Sequence, residues 1–114
     1  MTQRYVIDYL EFPSADGAGT RRFFAEAFGW SFTSYGPDYT GIDTAGIDAG
    51  IDAGPGRTEA PMAVIRTVDL ELAEREVVAA GGVVTVPAFD FPGGRRFHFR
   101  EPGGVELAVW IEKA

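Results

Sequence analysis

Two similar segments of this chain each run from an aspartate to a glycine thirteen residues later, Asp16 to Gly29 and Asp69 to Gly82. Each pair brackets an amphipathic stretch. Asp16 is a good N-cap for "GAGTRRFFAEAF", in which Thr20, Phe24, Ala27 and Phe28 fall on one helical stripe and Gly29 takes the residue after the C-cap. Asp69 caps a second helix whose Leu70, Ala73, Val77 and Ala80 form its stripe, ended by "GG" at 81 and 82. Strand-like runs surround both helices. "RYVIDYLEF", residues 4 to 12, alternates Tyr5, Ile7, Tyr9 and Glu11 on one face with Val6, Asp8, Leu10 and Phe12 on the other. "WSFTSY" and "YTGID" follow the first helix; "MAVIRTV" precedes the second, and "VVTVPAF", "RRFHFR" and "VELAVWI" come after it. The economical description is strand, helix, three strands, written twice. The modules span about 1–54 and 61–114, with a turn-rich linker over 53–61.

That plan decides how to read "GIDTAGIDAGIDAG", residues 41 to 54, where glycine and aspartate recur as in loops that ligate calcium. If the first half mirrors the second, its last two strands lie here, with Ile42, Ile47 and Ile51 as strand residues and "TAG" at 44 to 46 as the turn. A calcium-binding roll needs many stacked repeats, because one turn cannot bury its own core. The aspartates then read as solvated turn formers.

Composition narrows the partners. A net charge of −7, from 17 acidic and 10 basic side chains, repels phosphate backbones, so nucleic acid is not expected. The absence of cysteine removes disulfides, thiolate nucleophiles and sulfur-ligated zinc. No basic segment followed by an apolar run opens the chain, and no 18 apolar residues occur together, so no membrane is expected and the cytoplasm is the default location.

Taken in order, "YLEFPSAD", "RRFFAEAFGW", "DYTGI", "AAGGVV" and "REPGGVELAVW" resemble the vicinal oxygen chelate superfamily, which includes glyoxalase I, bleomycin-resistance proteins and extradiol dioxygenases. The resemblance spans nearly the whole chain. It implies an α+β fold of two βαβββ modules in tandem, each a curled mixed sheet with one helix packed outside, enclosing a cleft. The matching segments, a helix end and a hairpin turn, carry the fold and not the activity.

Metal-dependent members place His, Gln and Glu ligands on the concave sheet face, where a divalent ion chelates neighbouring substrate oxygens. By that resemblance the first ligand position falls on Tyr9, its counterpart on Ala63, or Met62 if the register slips by one, and the last on Ala108. Asp48 is the nearest candidate for the fourth. The expectation is therefore no catalytic metal. An improvised divalent site of Glu11, Glu106 and His98 is the alternative. Glu11 is either a general base or ligand anchor, or a carboxylate balanced by Arg66, Arg95 or Arg96. Tyr9, Tyr39, Phe91 and Trp110 are expected to line a ligand site with Glu11, His98 and Glu106. The expected function is metal-free binding of a small molecule by a homodimer, of the sequestering or resistance type. A glyoxalase- or isomerase-type enzyme with Glu11 as base is the alternative.

Overall fold

The computed structural model describes residues 5–113. Arg4, which the sequence reading placed at the start of the first strand, lies outside the described residues. The elements run β1 (Val6–Pro13), α1 (Gly17–Phe28), β2 (Phe32–Ser34), β3 (Tyr39–Ile42), β4 (Asp48–Asp52), β5 (Met62–Arg66), α2 (Leu70–Ala79), β6 (Val83–Phe91), β7 (Gly94–Arg100) and β8 (Glu106–Glu112). This is the α+β order of two βαβββ modules expected from the sequence. The described residues group into two compact units, one of Tyr9–Met62 and the other of residues 5–8 together with 63–113.

Each module repeats one hydrogen-bonding scheme. In the first, β1 runs parallel to β4, β4 antiparallel to β3, and β3 antiparallel to β2. In the second, β5 runs parallel to β8, β8 antiparallel to β7, and β7 antiparallel to β6. A parallel pair needs a crossover, and the helix of each module lies within it.

The aspartate caps form as the sequence implies. The Asp16 carboxylate accepts from the Gly19 N–H at 3.0 Å, and that of Asp69 from the Leu72 N–H at 3.1 Å. Gly29 closes α1 in the left-handed region at φ 70°, and Gly81 follows α2 at φ 104°. Asp69→Ala should lower stability by about 1 kcal/mol, read as an earlier midpoint in urea.

The cores lie between helix and sheet. Ile42, Ala49 and Ile51 are buried in the first unit, with Leu10, Phe12, Phe24, Trp30 and Phe32 packed on them. In the second, Leu70, Ala73, Phe97, Phe99 and Val109 form the buried group, with Ile65 and Leu107 against it. Two expectations need correction. On the expected stripe of α1, Ala27 and Phe28 are exposed, Phe28 meeting Trp30 at 5.1 Å, and Phe24 is the helix residue that packs on the buried group. Ile47 is no strand residue: the connection occupies residues 43–47, and Ile47 is exposed there.

Candidate functional site

Leu10 and Phe12 face α1, so strand alternation turns Tyr9 and Glu11 to the opposite face. Glu11 is only 2% exposed. A carboxylate that loses its hydration must recover hydrogen bonds, and one comes from β3: the Tyr39 hydroxyl donates to Glu11 Oε2 at 2.9 Å. The same Tyr39 oxygen lies 2.5 Å from the Tyr9 hydroxyl. Three side chains from two strands thus form one connected chain. Burial, and next the neighbouring Glu11 carboxylate, push the Tyr39 hydroxyl far above the ordinary tyrosine range, so it stays protonated.

Glycines make the space. Gly50 stands opposite Glu11 in the parallel pair and opposite Gly41 in the antiparallel one, so two adjacent strands present no Cβ at this level. A Cβ on Gly50 would run into the hydroxyls of both Tyr39 and Tyr9, and one on Gly41 would come 2.9 Å from the Tyr35 ring. Gly50→Ala should push the two hydroxyls apart and cost about 1–2 kcal/mol, since the colliding atoms are side-chain ends that can swing away. Chemical denaturation measures the loss, and the Tyr9 and Tyr39 ring resonances should shift together.

The glycine-aspartate stretch is accordingly a hairpin over a tyrosine cluster. Asp43 accepts from the Thr33 hydroxyl at 2.7 Å, Asp52 accepts from the Gly54 N–H at 2.9 Å, and Asp48 is exposed. Ordinary turn and strand roles occupy two of these carboxylates.

The second unit holds the other candidates. His98, on the face of β7 opposite Phe97 and Phe99, has its Nδ1 3.9 Å from Glu106 Oε2. Thr85 donates to that same carboxylate oxygen at 2.6 Å, and Phe89 meets the imidazole edge-on with ring centres 5.7 Å apart. Trp110 donates its indole N–H to Asp8 at 2.9 Å and lies 6.2 Å from Phe91. The Arg66 guanidinium covers the indole at 5.1 Å and pairs with Glu112, while Arg95 pairs with Asp90 at 3.0 Å. Both arginines thus pair with carboxylates of neighbouring strands.

The structure thus gathers Tyr9, Glu11 and Tyr39 in one unit, and His98 with Glu106 and Phe91 with Trp110 in the other. Sequence reasoning missed Gly41, Gly50, Tyr35 and Thr85. The recurrence of glycine in two consecutive short strands was the available signal for the first two. A groove of about 380 Å³ also flanks α1 in the first unit, lined by Ala18, Arg21, Arg22, Tyr39, Ile51 and Ala53. Tyr39 is the one expected site residue that reaches it.

The repeated scheme tests the metal positions. Tyr9 and Met62 stand seven residues before Asp16 and Asp69, and Glu11 and Val64 stand five before. Glu11 pairs with Gly50, and Val64 pairs with Ala108. The first-module counterpart of Ala108 is therefore Gly50, not Asp48. Ile65 packs toward α2, so Ala63 shares that side and Met62 takes the other. Gly50 and Ala108 bring no donor atom, Met62 brings a soft thioether, and the Tyr9 hydroxyl is engaged with Tyr39. These side chains do not fit a hard divalent cation. Among the described residues no three His, Asp or Glu side chains gather where a metal ion could be held.

Comparison with known proteins gives a consistent picture. Residues 6–109 match the sequence profile of the Glyoxalase/Bleomycin resistance protein/Dioxygenase superfamily. No curated protein sequence matches. Among solved structures, methylmalonyl-CoA epimerase from Mycobacterium tuberculosis aligns with a TM-score of 0.70 at 13% identity, covering 94% of this chain and 87% of that one. A glyoxalase/bleomycin resistance protein/dioxygenase superfamily member from Vibrio splendidus 12B01 gives 0.68 at 15% identity, covering 98% and 100%. The Mn(II)-bound glyoxalase from Novosphingobium aromaticivorans gives 0.69 at 17% identity over 96% of this chain and 40% of its own. Identities this low establish the fold alone.

Proposed function

The chain belongs to the glyoxalase/bleomycin resistance protein/dioxygenase superfamily, and we propose that it uses the fold to bind a small molecule through Tyr9, Glu11 and Tyr39, without a metal ion at the positions the resemblance marks. One observation carries this reading. Glu11 is buried, yet its counterpart in the second module is Val64, which is 3% exposed, so the strand scheme itself requires no acid there. A buried carboxylate is harder to accommodate than an apolar side chain of similar volume, which points to a use beyond folding. Tyr9 and Tyr39 add flat apolar area with polar tips, a combination suited to small-molecule recognition. A second reading, a glyoxalase- or isomerase-type enzyme, draws on the same geometry, because a carboxylate oriented by a tyrosine hydroxyl can serve as a proton acceptor.

Native mass spectrometry of the protein from its own source, paired with metal analysis of material purified without chelator, separates these readings. The expected result is a stoichiometric organic ligand with substoichiometric metal. Stoichiometric metal, together with turnover that Glu11→Gln abolishes, overturns the binding reading in favour of the enzyme. The working assembly is taken to be a cytoplasmic homodimer. Sedimentation showing a monomer at micromolar concentration counts against it.

A further inference from the structure

The groove beside α1 lies on the helix side of the first module's sheet, the side away from Tyr9 and Glu11. Ala18, Arg21, Arg22 and Ala25 line it, and their spacings of three and four residues make them one continuous face of the helix. Thr40 and Ile51, paired across β3 and β4, line the sheet side. Both alanines are short, so the two guanidiniums are the long polar groups of the helix wall. At about 380 Å³ the space suits a small molecule.

The chain carries a net charge of −7, yet two adjacent arginines stand on this wall, and among the described residues neither is in an ion pair. Glu26 is one turn on from Arg22, a spacing at which helical side chains commonly pair, and no ion pair joins them. Arg21 lies over the Phe32 ring at 5.5 Å, which positions the guanidinium and leaves its N–H edge to bond elsewhere. The one carboxylate of the lining, Asp38, is exposed and set against Gly54.

We propose that this groove is a separate ligand site that takes a small carboxylate with an apolar body, the carboxylate held by Arg21 and Arg22 and the body lying against Ala18, Ala25 and Ala53. A guanidinium presents parallel N–H groups that match the two oxygens of a carboxylate. Asp38 and the negative charge of the whole chain work against a dianion, so a monoanionic carboxylate suits the groove better than a phosphate monoester. The site does not depend on the reading of Tyr9, Glu11 and Tyr39 as a binding face, for Tyr39 borders the groove with its hydroxyl turned to Glu11.

The test titrates phenylacetate, its neutral isostere phenylacetamide, and phenyl phosphate into the full chain, following the Ala18, Ala25, Thr40 and Ala53 amide resonances. Phenylacetate should shift these four saturably and bind about 10-fold more tightly than either of the others. Arg22→Gln should weaken phenylacetate about 10-fold and leave phenylacetamide unchanged. Ala25→Leu narrows the groove without removing a charge and should weaken both about 5-fold; leucine is a good helix former at this exposed position, so the fold is kept. Equal binding of phenylacetate and phenylacetamide, or phenylacetate binding untouched by Arg22→Gln, overturns the proposal. Tighter binding of phenyl phosphate overturns the choice of a carboxylate. Shifts at Gly41 and Gly50 in place of the four put the ligand on the Tyr9 face, which overturns this site and leaves that one standing.

Discussion

Gly94→Ala should destabilise the second module by about 3 kcal/mol, the largest effect expected of any single-methyl addition in this chain. Gly94 opens β7 opposite Phe91 and Glu112 and is buried. A Cβ there would drive into the backbone carbonyl oxygen of Ile111 and stand 3.3 Å from the Glu112 Cα. At Gly50 the colliding atoms are the free ends of tyrosine side chains. At Gly94 they belong to the main chain of β8, and relief means moving a strand that pairs along the whole of β7. The change should lower the urea midpoint well beyond that of Gly50→Ala. Comparable midpoints for the two variants would show that the β7–β8 ladder yields more easily than the geometry implies.

Tyr39→Phe should cost about 2 kcal/mol, because it removes a hydrogen bond to a carboxylate that is almost fully buried. The same substitution has a signature in alkali. Burial, followed by the Glu11 charge, raises the Tyr39 hydroxyl above its unfolded value of about 10, so the folded form keeps a proton that the unfolded form releases. Below pH of about 10 both forms are protonated and the stabilisation is complete. Above it the unfolded chain binds fewer protons, and stability falls by about 1.4 kcal/mol per pH unit on account of this residue. Denaturant midpoints measured between pH 9 and 11 should decline in the parent and decline less in Tyr39→Phe. Parallel profiles would mean that the Tyr39 hydroxyl titrates alike in both states.

What the sequence disclosed and what it hid divide along the range of the interactions. Asp16, Asp69 and Gly29 act on atoms three or four residues away, so their roles can be read from spacing. The pairing of Tyr9 with Glu11 on one face was equally legible, since alternation along a strand is local. The role of Gly50 was not. Tyr9 lies 41 residues before it, and the contact exists only once the connection at 43–47 has set the register of β4 against β1 and β3. A shorter turn at "TAG" would have moved Ile47 into a strand and a different residue beneath the tyrosines. The partners of Arg66 were hidden for a related reason: Glu112 and Asp8 come near its guanidinium only in three dimensions.

The twice-written strand pairing gives this protein an internal control. Where the first module sets Glu11, Gly50 and Tyr39, the second sets Val64, Ala108 and Arg96 on the same ladder positions. Each half therefore reports what one strand scheme does when dressed with different chemistry, within a single molecule and under a single set of solution conditions.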